Sequence, residues 1–321
     1  MRKPVLLNAP LKDYLWGGKL LNEEYGKESD LEIVAESWEL SGHKDGLSVI
    51  ASGEYSGKTL DEYIAAEGRG VIGSNCKDSE GFPILVKLID AAQSLSVQVH
   101  PDNEYARIHE GEPGKTEMWY IVDCKEGAKL LYGFKKNVSK EEFVSRIKDN
   151  TLLEITNDVP VKKGDVFFIE AGTLHAIGEG ILIAEVQQSS NSTYRIYDFG
   201  RVGADGKPRE LHIDKAVDVT KLEPPTRDTK PFGKPEKKDD ATVTLLAECD
   251  YFTTEDVKLE GKVSFVADET SFNGILCLDG EAVLEANGEK LTLKKGMSAF
   301  VPAGTGEYTL NGKADLLRTR I

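Results

Sequence analysis

No stretch of this sequence is apolar for long enough to cross a membrane. The strongest run, Phe82 to Ile89, is broken by Lys87, and a spanning helix needs about 20 apolar residues. At the N-terminus, Val5-Leu6-Leu7 is too short for the core of a secretory signal, and no small-residue cleavage pattern follows. Cysteine is scarce: Cys76, Cys124, Cys249 and Cys277 are far apart and form no CxxC pair. A disulfide framework is thereby excluded, and the four read as reduced thiols. Basic residues are also in deficit, 40 Lys and Arg against 55 Asp and Glu, for a net charge of −15, which opposes long-range attraction to nucleic acid or anionic membranes. The expectation is a soluble, cytoplasmic protein with no nucleic-acid, membrane or obligate protein partner. A small anionic metabolite stays compatible, provided that Lys and Arg gather locally around its site.

What is present is a chain of 321 residues, 40% hydrophobic, enough for two globular units. The segment EPPTRDTKPFGKPEKKDD, residues 223–240, carries four prolines and almost no apolar side chains. It reads as a solvated linker between units at 1–222 and 241–321. Period-2 apolar patterns such as KLLYGF and VFFIEAG predict many short strands. Helices are predicted where Thr59 with Glu62 makes a capping box at LDEYIAAE, where Ser139 and Glu142 precede FVSRIK, where Asp102 can cap YARIHE, and over ELHIDKAVDVTK. An internal repeat ties the halves together: KKGDVFFIEAGTLH, ending at His175, and KKGMSAFVPAGTGE, ending at Glu307, are identical at seven of fourteen positions. Both halves should share one all-β architecture. Because Glu307 replaces the histidine and no QxH pattern precedes the second copy, chemistry is expected in the first copy only.

Three short segments hold possible metal ligands: Gln98-Val99-His100, Glu117 in KTEMWY, and His175 in AGTLHAIG. Gln98 and His100 are two apart, so on a strand they share a face and can reach one ion. Two imidazoles, a carboxylate and an amide oxygen suit zinc, with manganese, iron or cobalt as substitutes that the spacing does not separate. Singly, each residue has an ordinary structural reading, and His43, His109 and His212 are left as surface or local hydrogen-bonding residues. Lys87 stands out differently. A lysine inside Ile84-Leu85-Val86-Lys87-Leu88-Ile89 is costly unless it is paired or faces a cavity.

The pattern Gly164, five residues, Glu170-Ala171-Gly172, two residues, His175 resembles the second cupin motif, with Glu170 in place of its usual proline. SLSVQVHPDNEYA resembles the first cupin motif with glutamine at its first histidine, and with YLWGGKLL, GKTEMWYIV and STYRIYDFGR the chain looks like the short bacterial branch of the type I mannose-6-phosphate isomerases. The likeness covers most of residues 1 to about 220. It implies a mainly β fold of two cupin-like jelly-roll domains with a few inserted helices, the C-terminal one lacking metal ligands. It also implies one zinc ion per chain on Gln98, His100, Glu117 and His175, with Arg195 projecting into the active site and Glu185 ten residues before it. Lys87, Ser96 and Lys115 match positions associated with the substrate or its phosphate. Arg201 stands where larger relatives carry a lysine, a change of cation geometry.

The implied reaction is the metal-dependent interconversion of mannose 6-phosphate and fructose 6-phosphate by proton transfer between C1 and C2. Such chemistry needs a base, a cation facing the enediolate oxygens, and contacts that fix the phosphate. Lys115 and Glu185 are the candidate bases, and the residues alone do not choose between them. Two other readings are a non-catalytic sugar-phosphate-binding regulatory cupin and an iron-dependent cupin oxygenase. The Lys and Arg cluster and the glutamine in place of histidine weigh against the latter.

Overall fold

The structure, a computed structural model, describes residues 1–202 and 206–321. Three antiparallel sheets account for most of it, so the mainly β expectation holds. In the N-terminal half a seven-stranded sheet, with Glu117–Cys124, Ile181–Gln188 and Ile84–Ala91 at its centre, faces a five-stranded sheet that includes Val97–Val99, His175–Ala176 and Tyr194–Tyr197. A third sheet of nine strands gathers the C-terminal half.

The seven-stranded sheet is the middle layer, and this explains its composition. One face packs Ile89, Trp119, Ile121 and Ile183 against Leu130 and Tyr132 of the five-stranded sheet. The other packs Val86, Leu88, Met118, Tyr120 and Ala184 against Phe252, Phe272, Leu276 and Phe300 of the C-terminal half. A sheet buried on both faces reads as a continuous apolar run rather than an alternation. Side-chain alternation then decides where polarity can enter. Ile89, Ile121 and Ile183 point between the two N-terminal sheets, and so do Lys87, Glu117, Glu185 and Gln187 two or four residues along the same strands. Register aligns them, with Glu185 opposite Lys87 and Gln187 opposite Glu117. One end of the inner face is therefore apolar core and the other a polar floor.

Four helices fall where they were predicted. At Leu60–Glu67 the capping box is complete, since Thr59 and Glu62 each accept from the other's backbone N–H. Ser139 caps Lys140–Lys148 and Asp102 caps Asn103–His109 through the same N3 bond, and the last covers Ile213–Val219. A fifth, Leu20–Glu24, was not predicted, and its first N–H donates to the Asp90 carboxylate at 2.9 Å. The repeat is real in three dimensions. Val166–Ile169 and Ser298–Val301 are equivalent strands, each preceded by a positive-φ glycine, Gly164 and Gly296, and followed by another, Gly172 and Gly304. The second copy ends at an exposed Glu307.

Two contacts cross the halves in ways the sequence did not suggest. Strand Val5–Asn8 pairs with Ser298–Val301, so the N-terminal residues belong to the C-terminal sheet. Residues 223–240 are held down rather than solvated throughout. The Val166 and Phe232 N–H groups donate to Thr229 and Leu246, Phe232 packs on the core, and the Arg227 guanidinium lies 4.0 Å from its ring centroid.

The C-terminal sheet carries one misplaced charge. Asp256 is 4% exposed, its Oδ1 has no hydrogen-bond partner, and burial pushes its carboxyl up to about 6, with Asp315 adding to the shift against an opposing pull from Lys258. Its folded-state value lies above the unfolded one, so the native protein holds an extra proton between about pH 4 and 6 and loses that contribution as the pH rises through 6. Asp256→Asn is expected to stabilise the protein by roughly 1–3 kcal/mol at pH 7.5 and by much less at pH 4.5. Thermal melts at the two pH values measure the difference, and equal effects at both would refute the assignment.

Candidate active site

The polar floor meets the five-stranded sheet at a cluster of buried donors. Glu117 begins its strand, His175 faces Gln98 across a strand pair, and His100 follows the strand Val97–Val99 directly. One potential ligand atom from each of His100, Glu117 and His175 lies within 4.8 Å of the others, and all three residues are buried. Among the described residues no other such group occurs, in the C-terminal copy or elsewhere.

Both imidazoles are aimed. His100 Nδ1 lies 2.9 Å from the Ser192 carbonyl and His175 Nδ1 2.8 Å from that of Thr173. Each Nδ1 is therefore the donor, and each Nε2 keeps its lone pair toward Glu117, at 3.5 and 3.6 Å. Burial, aided by the Lys115 ammonium, pushes His100 down to about 4, and burial also lowers His175, so both rings are neutral. Burial alone would raise the Glu117 carboxyl. Lys115 and the two imidazoles outweigh it and hold the group well below the carboxylate range.

These donors fit a cation. Neither oxygen of Glu117 has a hydrogen-bond partner although the side chain is fully buried, an arrangement that is costly without a compensating charge. The Lys115 ammonium stands in for one, 3.0 Å from Glu117 Oε2 and 3.2 Å from His100 Nε2. Gln98 sits beside the three but turns its Nε2 to His175 at 3.4 Å and its oxygen to the Ser96 hydroxyl at 3.3 Å. Trp119 packs edge-on to His175, 5.3 Å between ring centroids.

Above the donors lies a cavity of about 260 Å³. Lys87, Ser96, Gln98, Lys115, Glu185 and Arg195 all line it. Lys87 is 3% exposed and paired with Glu185 at 3.2 Å and Glu36 at 3.6 Å. Burial would lower its ammonium, but the two carboxylates hold it above its ordinary value. The Trp119 indole donates to Glu185 at 2.8 Å. Arg195, opposite Gln98 in the strand pair, donates to the Glu210 carbonyl at 2.9 Å and has a buried Nε without a partner.

Residues 5–120 match the family described as phosphomannose isomerase type I, catalytic domain, and residues 242–321 match the mannose-6-phosphate isomerase cupin domain. Mannose-6-phosphate isomerase ManA of Bacillus subtilis is 38% identical over 98% of both chains. The chain belongs to the type I phosphomannose isomerases. The family assignment extends to Streptococcus mutans, whose mannose-6-phosphate isomerase is 36% identical over 99% of this chain and 98% of its own. A solved structure of the Bacillus subtilis mannose 6-phosphate isomerase superposes with a TM-score of 0.92 over the whole of both chains at 35% identity.

Within this type I phosphomannose isomerase, six of the ten sequence-selected residues line the cavity, and His100, Glu117 and His175 form the buried cluster beside its Gln98 and Lys115. Arg201 does not line the cavity. Its guanidinium is taken by Asp198 and by the Ser94 carbonyl at 2.6 Å. Sequence reasoning missed Tyr14, Trp16, Glu36, Asn191, Thr193 and Arg209, which do line it. Glu36 had a signal: a buried Lys87 demands carboxylate partners, and Glu36 lies on the neighbouring strand. His43 meets one of its two expectations and not the other. It is 6% exposed, edge-on to Trp38 and 3.5 Å from Glu112, buried and not at the surface, while its Nδ1 accepts from the Asp45 N–H at 3.2 Å, the local hydrogen bond that was the other expectation.

Proposed function

We propose that this chain interconverts mannose 6-phosphate and fructose 6-phosphate with the help of one divalent ion, zinc by the nitrogen and oxygen character of the donors. The observation that carries the reading is the fully buried Glu117, set between two imidazoles aimed by backbone carbonyls with only the Lys115 ammonium as its charged partner, beside a cavity walled by lysine, arginine and glutamate. His100, Glu117 and His175 would hold the ion, with Gln98 joining after rotation of its amide. Bound there, it would polarise the sugar oxygens as a Lewis acid.

The remaining work falls to side chains. Arg195 faces the oxygens on which enediolate charge grows, and its buried, unpartnered Nε is a donor in reserve for that charge. Lys115 Nζ and a carboxylate oxygen of Glu185 are the two sites that can carry the proton between C1 and C2. Ser96 and Lys87 orient the substrate, Lys87 through a position fixed by two carboxylates. The layered sheets on either side of the floor exclude bulk water. Residues 1–222 act as the catalytic unit and 241–321 as its support. The chain is placed in the cytoplasm, where its four free thiols stay reduced.

A coupled assay of mannose 6-phosphate conversion tests this. Turnover is expected to fall to background after chelation and to return on adding zinc. Turnover that survives complete metal removal would sink the metal-dependent reading, and none in metal-loaded protein would sink the isomerase.

A further inference from the structure

A six-carbon sugar phosphate reacts at one end and carries its dianion at the other, so a site for it needs two poles. The Val97–Val99 strand connects them. At its far end His100 joins the ligand cluster. Before its start, the Ser94 carbonyl accepts from Arg201, and the neighbouring strand delivers Asp198 just past Tyr197, which pairs with Val97. The segment from Gln98 back to Leu95, if extended throughout, spans roughly 10 Å.

Charge at the two poles differs. Lys87 is one cation between two carboxylates, and Lys115 stands beside Glu117 and His100, so both belong to the ligand-cluster end. At the opposite pole Arg201 and Arg209 share Asp198 as their buried carboxylate. Arg209 Nε and Nη2 donate to its two oxygens at 2.7 and 2.5 Å, and Arg201 takes Oδ1 as well. Glu210 nearby turns its side chain to solvent, 83% exposed. Among the described residues, two guanidiniums against this one buried carboxylate leave a positive charge that suits a phosphate, and planar guanidinium forks match its oxygens. Of the two arginines bound to Asp198, Arg209 is the one that lines the cavity.

Resting on the isomerase reading above, we infer that Arg209, held in place by Asp198, is the residue that grips the substrate's phosphate, and that Arg201 supports the pair from behind. Arg209 acts in binding and not in proton transfer. Asp198 is a positioning residue: by engaging Nε and Nη2 it leaves the remaining face of the fork turned to the cavity.

The test uses the full metal-loaded chain and inorganic phosphate as probe. Arg209→Ala is expected to raise KM for mannose 6-phosphate by on the order of tenfold or more while kcat stays within about threefold, and to weaken competitive inhibition by inorganic phosphate by a similar factor. Arg209→Lys should recover part of both losses, and Arg201→Ala should cost less in each. Unchanged KM and phosphate inhibition in folded, metal-loaded Arg209→Ala would overturn the assignment. So would a loss confined to kcat. If the wild-type chain does not isomerise mannose 6-phosphate, the functional reading falls by itself. Calorimetric phosphate binding, compared between wild type and Arg209→Ala, then still decides for or against the grip.

Discussion

Replacing His100 or His175 by alanine is expected to empty the metal site and to lower isomerase kcat/KM by on the order of a thousandfold or more. The cluster has little redundancy. It contains two imidazoles, one carboxylate and a neighbouring amide, and the amide is the weakest donor. Each imidazole is pre-aimed by a bond from Nδ1 to a backbone carbonyl, so its loss removes a ligand that needs no reorganisation to bind. Elemental analysis after dialysis should find about one divalent ion per wild-type chain and almost none in either variant. Folding should survive, because deleting a ring from a partly polar floor leaves the apolar layers intact, and circular dichroism checks this. Glu307→Gln, at the equivalent position of the second repeat, should leave metal content and turnover unchanged. Full metal content in both histidine variants would mean that the ion binds elsewhere.

Arg195→Ala is expected to lower kcat by on the order of a hundredfold or more with a modest change in KM, the signature of a contact strengthened only in the transition state. Its place in register opposite Gln98 sets it at the reacting pole and not the phosphate pole, so its kinetic trace should be the mirror image of that of Arg209. Exchange of the C2 proton with solvent separates the two candidate bases. If Lys115 carries the proton, Lys115→Ala abolishes exchange at saturating substrate while substrate still binds. If Glu185 does, Glu185→Gln abolishes it and Lys115→Ala does not. Undiminished isomerisation in Arg195→Ala would remove that guanidinium from the mechanism.

Much of this site was legible before any coordinate. Local rules gave the capping residues Thr59, Ser139 and Asp102, the repeat, and the same-face pairing of Gln98 with His100, because each depends on neighbours within a few positions. The cost of burying a lone lysine pointed to Lys87. What escaped depends on tertiary partners. Nothing in KPREL distinguishes Arg209 from a solvated arginine until Asp198 is seen to hold it. Glu36 looks like any strand glutamate until Lys87 is placed beside it. Residues 223–240 have a linker's composition, yet Phe232 packs on the core and backbone hydrogen bonds from Val166 and Phe232 hold the segment down. The middle sheet's burial on both faces likewise follows from how the halves stack, which period-2 patterns do not encode.

The pairing of Val5–Asn8 with Ser298–Val301 has a consequence for the life of the chain. Val5 lies opposite Phe300, so this strand is synthesised long before its hydrogen-bonding partner. Until then its edge and the apolar side chains beneath it are open to other chains. The C-terminal unit cannot complete its sheet from residues 241–321 alone, and expressing it without residues 1–8 should yield an aggregating fragment. The nine-stranded sheet therefore needs segments from both halves, and non-local pairing of this range makes its assembly slow.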